Sequence, residues 1–264
     1  MPEKIITVDN LLQELELVIC DTSMVFRSND WGWYQDSVYS KRSFSGMNPD
    51  SMAKEIGNLK YFLSLLESPN IATVPGVSAE IRRERNMVTD TIRFLNQLED
   101  LVSNKFRKKL GKQGFRKRET GRELLEEIRD LIHQCYLQSR RISFLPKDKL
   151  KYEMLEKKVI EIAAKTGSKI DFSQDYLKRI KPKNVEDFHT DEQLVAAAIY
   201  SFAYDDKDVG ILTRDSDIRR IMRKTVSCGN LSDVLRFSEN GSRRLRIYGF
   251  SFQEELRCDF DSLN

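Results

Sequence analysis

The 264-residue sequence predicts an α/β sandwich on a largely parallel sheet. Two short apolar runs without alternation, residues 17–20 and 209–213, have the pattern of strands buried on both faces. Each run is followed closely by an aspartate, Asp21 or Asp215. The elements follow the order strand, helix, strand, helices, strand, helix, strand, which favours α/β.

The elements are justified in turn. A short helix over 9–14 precedes the first strand. After the polar, Trp-containing segment 28–46, Asn48-Pro49 is an N-cap and first helical position leading into a helix over 50–66. Ile71-Ala72-Thr73-Val74 is a second strand, ended by Pro75-Gly76, and a helix starts near Val77. From there to about residue 165 the chain is rich in Leu, Ile, Glu, Lys and Arg. Leu124, Leu125, Ile128, Leu131, Ile132 and Cys135 fall on one helical face. Gly111, Gly114 and Gly121 predict one break and Leu145-Pro146 another, giving three long helices. Residues 90–166 are thus expected to be a helical insertion within a single domain, 1–264. A helix over 191–204 contains Ala196-Ala197-Ala198, small enough to pack closely on a sheet. Residues 218–223 resume a helix, and the alternating residues 245–250 suit a last strand.

Composition narrows the function. Forty-four basic and 41 acidic side chains leave a net charge of +3, which excludes a uniformly basic nucleic-acid coat. A polyanion site must come from local clustering. No apolar run approaches the ~20 residues of a membrane span, so no membrane partner is expected. Met1-Pro2-Glu3-Lys4 is not followed by an apolar run with a cleavage site, which predicts no signal peptide. Cys20, Cys135, Cys228 and Cys258 form no CxxC pair, arguing against a zinc knuckle and for unpaired thiols in a reducing compartment. A cytoplasmic protein is expected.

Four acids stand at element boundaries on one edge of the predicted sheet: Asp21 after the first strand, Glu80 and Asp191 in first helical turns, and Asp215 after the third buried strand. Singly, each has an ordinary explanation as a helix-dipole or loop residue. Together they would repel one another and raise each pKa unless a cation were bound. Mg²⁺ or Mn²⁺ accepts such an oxygen-only environment, and such an ion supplies a nucleophile and stabilises the leaving oxygen of a phosphodiester.

The strings Leu17-Val18-Ile19-Cys20-Asp21-Thr22-Ser23, Val74-Pro75-Gly76-Val77-Ser78-Ala79-Glu80-Ile81, Thr190-Asp191-Glu192-Gln193-Leu194-Val195-Ala196-Ala197-Ala198 and Ile211-Leu212-Thr213-Arg214-Asp215-Ser216-Asp217-Ile218 resemble, in order, the four motifs of PIN-domain nucleases. The resemblance implies a three-layer sandwich with helices on both sides of a parallel sheet, here enlarged by the helical insertion. It implies a catalytic metal site of Asp21, Glu80, Asp191 and Asp215, with Asp217 as a further metal-site acid. Ser23 and Thr213 match flanking polar positions that orient a carboxylate or water. About 110 residues separate Glu80 from Asp191, roughly double the spacing of short toxin-like members.

Lys105, Arg107, Lys108, Lys109, Lys112, Arg116, Lys117 and Arg118 form a one-signed run suited to a phosphate backbone. Arg214, Arg219 and Arg220, with Arg223 and Lys224, form a second cluster starting inside the last acidic motif, and Arg82, Arg83 and Arg85 follow Glu80. Arg243, Arg244 and Arg246 are read as edge-strand protection. Trp31, Trp33 and Tyr34 are either base-stacking residues or pins of an irregular loop. His189 is a candidate substrate contact, and His133 lies on an amphipathic helix. No P-loop, GxGxxG or Ser-His-Asp arrangement points to another enzyme.

The reading is a metal-dependent endoribonuclease acting on single-stranded or looped RNA, the choice of RNA resting on the resemblance. The helical arm suits dimerisation or substrate selection, so a homodimer is a further partner considered, as is a protein inhibitor or regulator. The alternatives are a non-catalytic RNA-binding or scaffold module of the same fold and the toxin of a toxin–antitoxin pair. A structure-specific DNA nuclease ranks below them.

Overall fold

A computed structural model describes residues 7–25, 49–101, 104–166, 188–227, 245–250 and 256–261. Among these the elements are α1 (Val8–Glu14), β1 (Leu17–Cys20), a 3-10 turn (Thr22–Met24), α2 (Pro49–Leu66), β2 (Ile71–Ala72), α3 (Pro75–Leu101), α4 (Asn104–Arg141), α5 (Lys149–Thr166), α6 (Thr190–Ala203), β3 (Val209–Leu212), α7 (Ser216–Ser227), β4 (Leu245–Phe250) and β5 (Leu256–Asp261). They divide into two compact units. The first takes in Met1–Met24, Ser68–Ser78 and Ile142–Asn264, the second Val25–Glu67 and Ala79–Arg141. The segment 90–166 is shared between them, with α4 in the second and α5 in the first.

The first unit is an α/β structure around a sheet of order β2-β1-β3-β4-β5. The first four strands run parallel and β5 is antiparallel to β4. Every residue of β1 and of β3 is buried, as their unbroken apolar character requires. Gly210 in β3 permits a close approach, since a Cβ there would lie 2.5 Å from Leu15 Cδ1. Helix α6 packs on β1, β3 and β4, while α5 packs on α6 and α7. Residues 194–200 of α6 are buried without interruption, as expected of a helix covered on all sides.

Sheet topology positions the site. From β1 the chain reaches β2 on one side and β3 on the other, so strand order reverses at the β1/β3 pair. Ligands of open parallel sheets bind at the carboxyl ends of the strands at such a reversal. Asp21 and Asp215 follow those two strands.

In the second unit α2 packs along α4. Leu59, Phe62 and Leu66 of α2 and Leu125, Ile128 and Ile132 of α4 are fully buried or nearly so. The Cys135 thiol donates to Leu59 O at 3.8 Å, and burial pushes its pKa up to about 12. Gln138 Nε2 donates to Leu66 O at 3.1 Å, closing the end of the pair.

Several sequence expectations are corrected. The predicted break at Gly111, Gly114 and Gly121 is absent, because α4 continues through all three. A glycine costs about 0.5–1 kcal/mol in a helix, too little to interrupt one secured further on by packing against α2. The second strand ends at Ala72 instead of Val74. Thr73 forms an isolated bridge with Ser143, and α3 begins at Pro75. Strand β5 was not foreseen in the sequence. It makes β4 an interior strand, so Arg246 protects no edge. Its side chain donates to the Tyr248 hydroxyl at 3.1 Å and faces Asp261 at 3.6 Å. Trp31, Trp33, Tyr34, Arg243, Arg244 and Cys228 lie outside the described residues. Cys20, Cys135 and Cys258 are free thiols.

Candidate metal centre

Asp21 directly continues β1, and its backbone N–H extends the ladder to Leu212 O at 3.1 Å. Its carboxylate is 3% exposed and surrounded by hydroxyls. Oδ2 accepts from Thr213 Oγ1 at 2.8 Å and from Ser23 Oγ, and Oδ1 accepts from Thr22 Oγ1 at 3.2 Å. These bonds compensate the desolvation of a buried carboxylate. The preceding Cys20 thiol is pushed well above its ordinary pKa, by burial first and by the Asp21 charge second. It therefore stays protonated and serves the core.

The same hydroxyls shape the loop after β3. Ser23 Oγ accepts the Arg214 N–H and Thr213 Oγ1 accepts the Asp215 N–H, both at 2.9 Å. Asp215 Oδ1 accepts the Asp217 N–H at 2.8 Å, which makes Asp215 the N-cap of α7. Asp217 lies in the first turn of that helix and is ion-paired to Arg220 one turn later.

Asp191, in the first turn of α6, completes the arrangement. Asp191, Asp215 and Asp217 each offer an oxygen within 4.8 Å of the other two. The donor set is oxygen-only, the kind that hard divalent cations such as Mg²⁺ and Mn²⁺ accept. Asp21 is outside this trio and acts on it through Thr213, whose hydroxyl touches both Asp21 and the Asp215 backbone.

Glu80 lies on the part of α3 that belongs to the second unit, whereas Asp191, Asp215 and Asp217 all belong to the first. One turn on, Glu84 has its pKa raised to about 7, by burial first. The Arg83 charge, 3.5 Å away, opposes the rise and the Glu80 charge adds to it.

The basic candidates divide. Lys105, Arg107, Lys108, Lys109, Lys112, Arg116, Lys117 and Arg118 all fall on α4 as a continuous helical run, where the backbone alone is described. Arg214 and Arg219 are half-buried beside the acidic loop, and Arg220 is engaged by Asp217. His189 precedes α6 in the left-handed conformation, φ 50° and ψ 35°, with Nδ1 3.8 Å from Glu192 Oε1.

The sequence reading missed Gln193 and the role of Gly76. Gly76 N–H, in the first turn of α3, donates to Gln193 Oε1 at 2.8 Å. A glycine directly after a helix-starting proline is a poor helix former, and that was the available signal for a close approach.

No protein-family model, curated protein or solved structure matches the chain. Among the described residues no helix is long and apolar enough to cross a membrane.

Proposed function

We propose that the protein is a metal-dependent nuclease of PIN type, with the three-layer architecture of that family, which hydrolyses RNA phosphodiester bonds internally. The observation that carries this reading is the convergence of Asp191, Asp215 and Asp217 at the strand-order reversal of a parallel sheet. The choice of RNA over DNA rests on the sequence resemblance.

In this reading Asp191, Asp215 and Asp217 would hold the cation, and Asp21 orders the loop that carries Asp215. Bound Mg²⁺ or Mn²⁺ supplies Lewis acidity, lowering the pKa of water and stabilising charge on phosphate oxygens. The chain's own contribution is orientation. Asp21 aims the Thr213 hydroxyl, Thr213 fixes the backbone of Asp215, and the Asp215 cap fixes Asp217. Arg214 and Arg219 supply positive charge beside these acids for the substrate backbone.

The test is cleavage of a mixed-structure RNA pool and matching single-stranded DNA with Mn²⁺, Mg²⁺ or EDTA, using wild type and Asp215→Asn. We expect metal-dependent RNA cleavage that falls at least about 100-fold in the variant, the scale of losing one electrostatic stabiliser. RNA that is bound but never cut would replace this reading with a binding module.

A further inference from the structure

The first amides of a helix have no acceptor within it. In α3 one of these donors, Gly76 N–H, is capped from another helix by Gln193 Oε1 at 2.8 Å. The Gln193 amide also faces the Glu156 carboxyl on α5, where its hydrogen bonding opposes the rise in pKa that burial causes. One side chain on α6 thus joins three helices. The fit around it is close. A Cβ on Gly76 would lie 2.6 Å from Thr190 Oγ1, 2.9 Å from Thr190 Cα and 3.0 Å from Gln193 Oε1. Further along α6, Ala196, Ala197 and Ala198 are fully buried small residues whose contacts carry no directional bond. The rotation of the amino end of α6 therefore depends on polar contacts there, and Gln193 is two residues from Asp191.

We infer that Gln193 is a positioning residue, clamping the amino end of α6 between Gly76 and Glu156 so that Asp191 meets Asp215 and Asp217. The inference rests on the metal-site reading above. Outer partners that orient metal ligands typically change affinity 10- to 100-fold when lost.

The experiment measures Mn²⁺ affinity of the full chain by electron paramagnetic resonance for wild type, Gln193→Glu and the double variant Gln193→Glu/Glu156→Gln. The single variant sets two carboxylates against each other and should bind Mn²⁺ about ten-fold more weakly. The double variant restores a donor opposite an acceptor and should recover most of the loss, which a side chain that only fills space would not do. Gln193→Met, of similar length without polar ends, should show the same weakening if Gln193→Glu fails to fold. In metal-free protein, hydrogen exchange at Gly76 N–H should accelerate in Gln193→Met. Wild-type affinity in the single variants, or a loss that the double variant does not recover, overturns the positioning role and leaves the metal site standing. A wild-type chain that binds no Mn²⁺ overturns the metal reading and this inference together.

Discussion

At the end of β1, Asp21 is buried and takes hydrogen bonds from Thr22, Ser23 and Thr213. At the end of β3, Asp215 is exposed, caps α7 and stands within 4.8 Å of two other carboxylates. The strands are parallel neighbours in register from Leu17↔Val209 to Cys20↔Leu212, and each hands the chain to an aspartate at the same edge. Yet one acid serves as an internal acceptor that organises a loop, and the other joins a group of like charges. Hydrogen-bond donors offset the cost of burying a carboxylate, whereas neighbouring carboxylates raise the cost of its charge.

That contrast can be broken by substitution. The largest expected effect is from Asp21→Ala, which leaves the Thr22, Ser23 and Thr213 hydroxyls without their acceptor. Unsatisfied buried groups cost about 1–3 kcal/mol each, so urea unfolding should show a loss of about 3 kcal/mol or more. A loss under about 1 kcal/mol would mean that water replaces the carboxylate and that the site is not organised around Asp21.

Glu84 extends the comparison to a carboxylate stabilised mainly in its neutral form. Its folded pKa of about 7 lies above the 4.5 of the free group, so the folded chain binds more protons between those values. This contribution to stability is fully present below about pH 4.5 and is lost as pH rises through 7. Glu84→Gln should remove that decline, gaining about 2 kcal/mol over wild type at pH 8 compared with pH 5. Equal differences at the two pH values would assign the decline to other groups.

The smallest effect is on the exposed side. Asn caps a helix about as well as Asp, so Asp215→Asn retains the α7 cap while removing one of three close charges. In EDTA it should be more stable than wild type by about 0.5–1 kcal/mol. Saturating Mn²⁺ should reverse that order, because ligand binding stabilises only the chain that holds the ion. Melting curves in the two conditions check both halves, and an unchanged order would argue against cation binding by the trio.

Much of this architecture is legible in the sequence because it depends on local pattern. The unbroken apolar runs at β1 and β3 could be satisfied only by strands covered on both faces, and the Ala-rich helix only by close packing. Asp191 and Asp215 could be named for the same reason, since each lies at a recognisable boundary, whereas Asp217 was named only through the resemblance of its motif. The glycines of α4 misled because helix propensity is weaker than the packing of the following turns against α2. Strand β5 escaped because its sequence, Leu256 to Asp261, carries two acids and an arginine and acquires strand character by pairing with β4.

What the sequence by itself determined is the α/β order, the strand-end acids and their oxygen-only chemistry, all properties of residue type and near-neighbour spacing. Only the tertiary structure decided how those acids divide. Asp21 is withdrawn behind three hydroxyls, Asp217 joins Asp191 and Asp215, and Gln193 reaches Gly76 across 117 positions of chain. Such partnerships are set by which strands pair and how closely a helix approaches the sheet, and no local pattern encodes them.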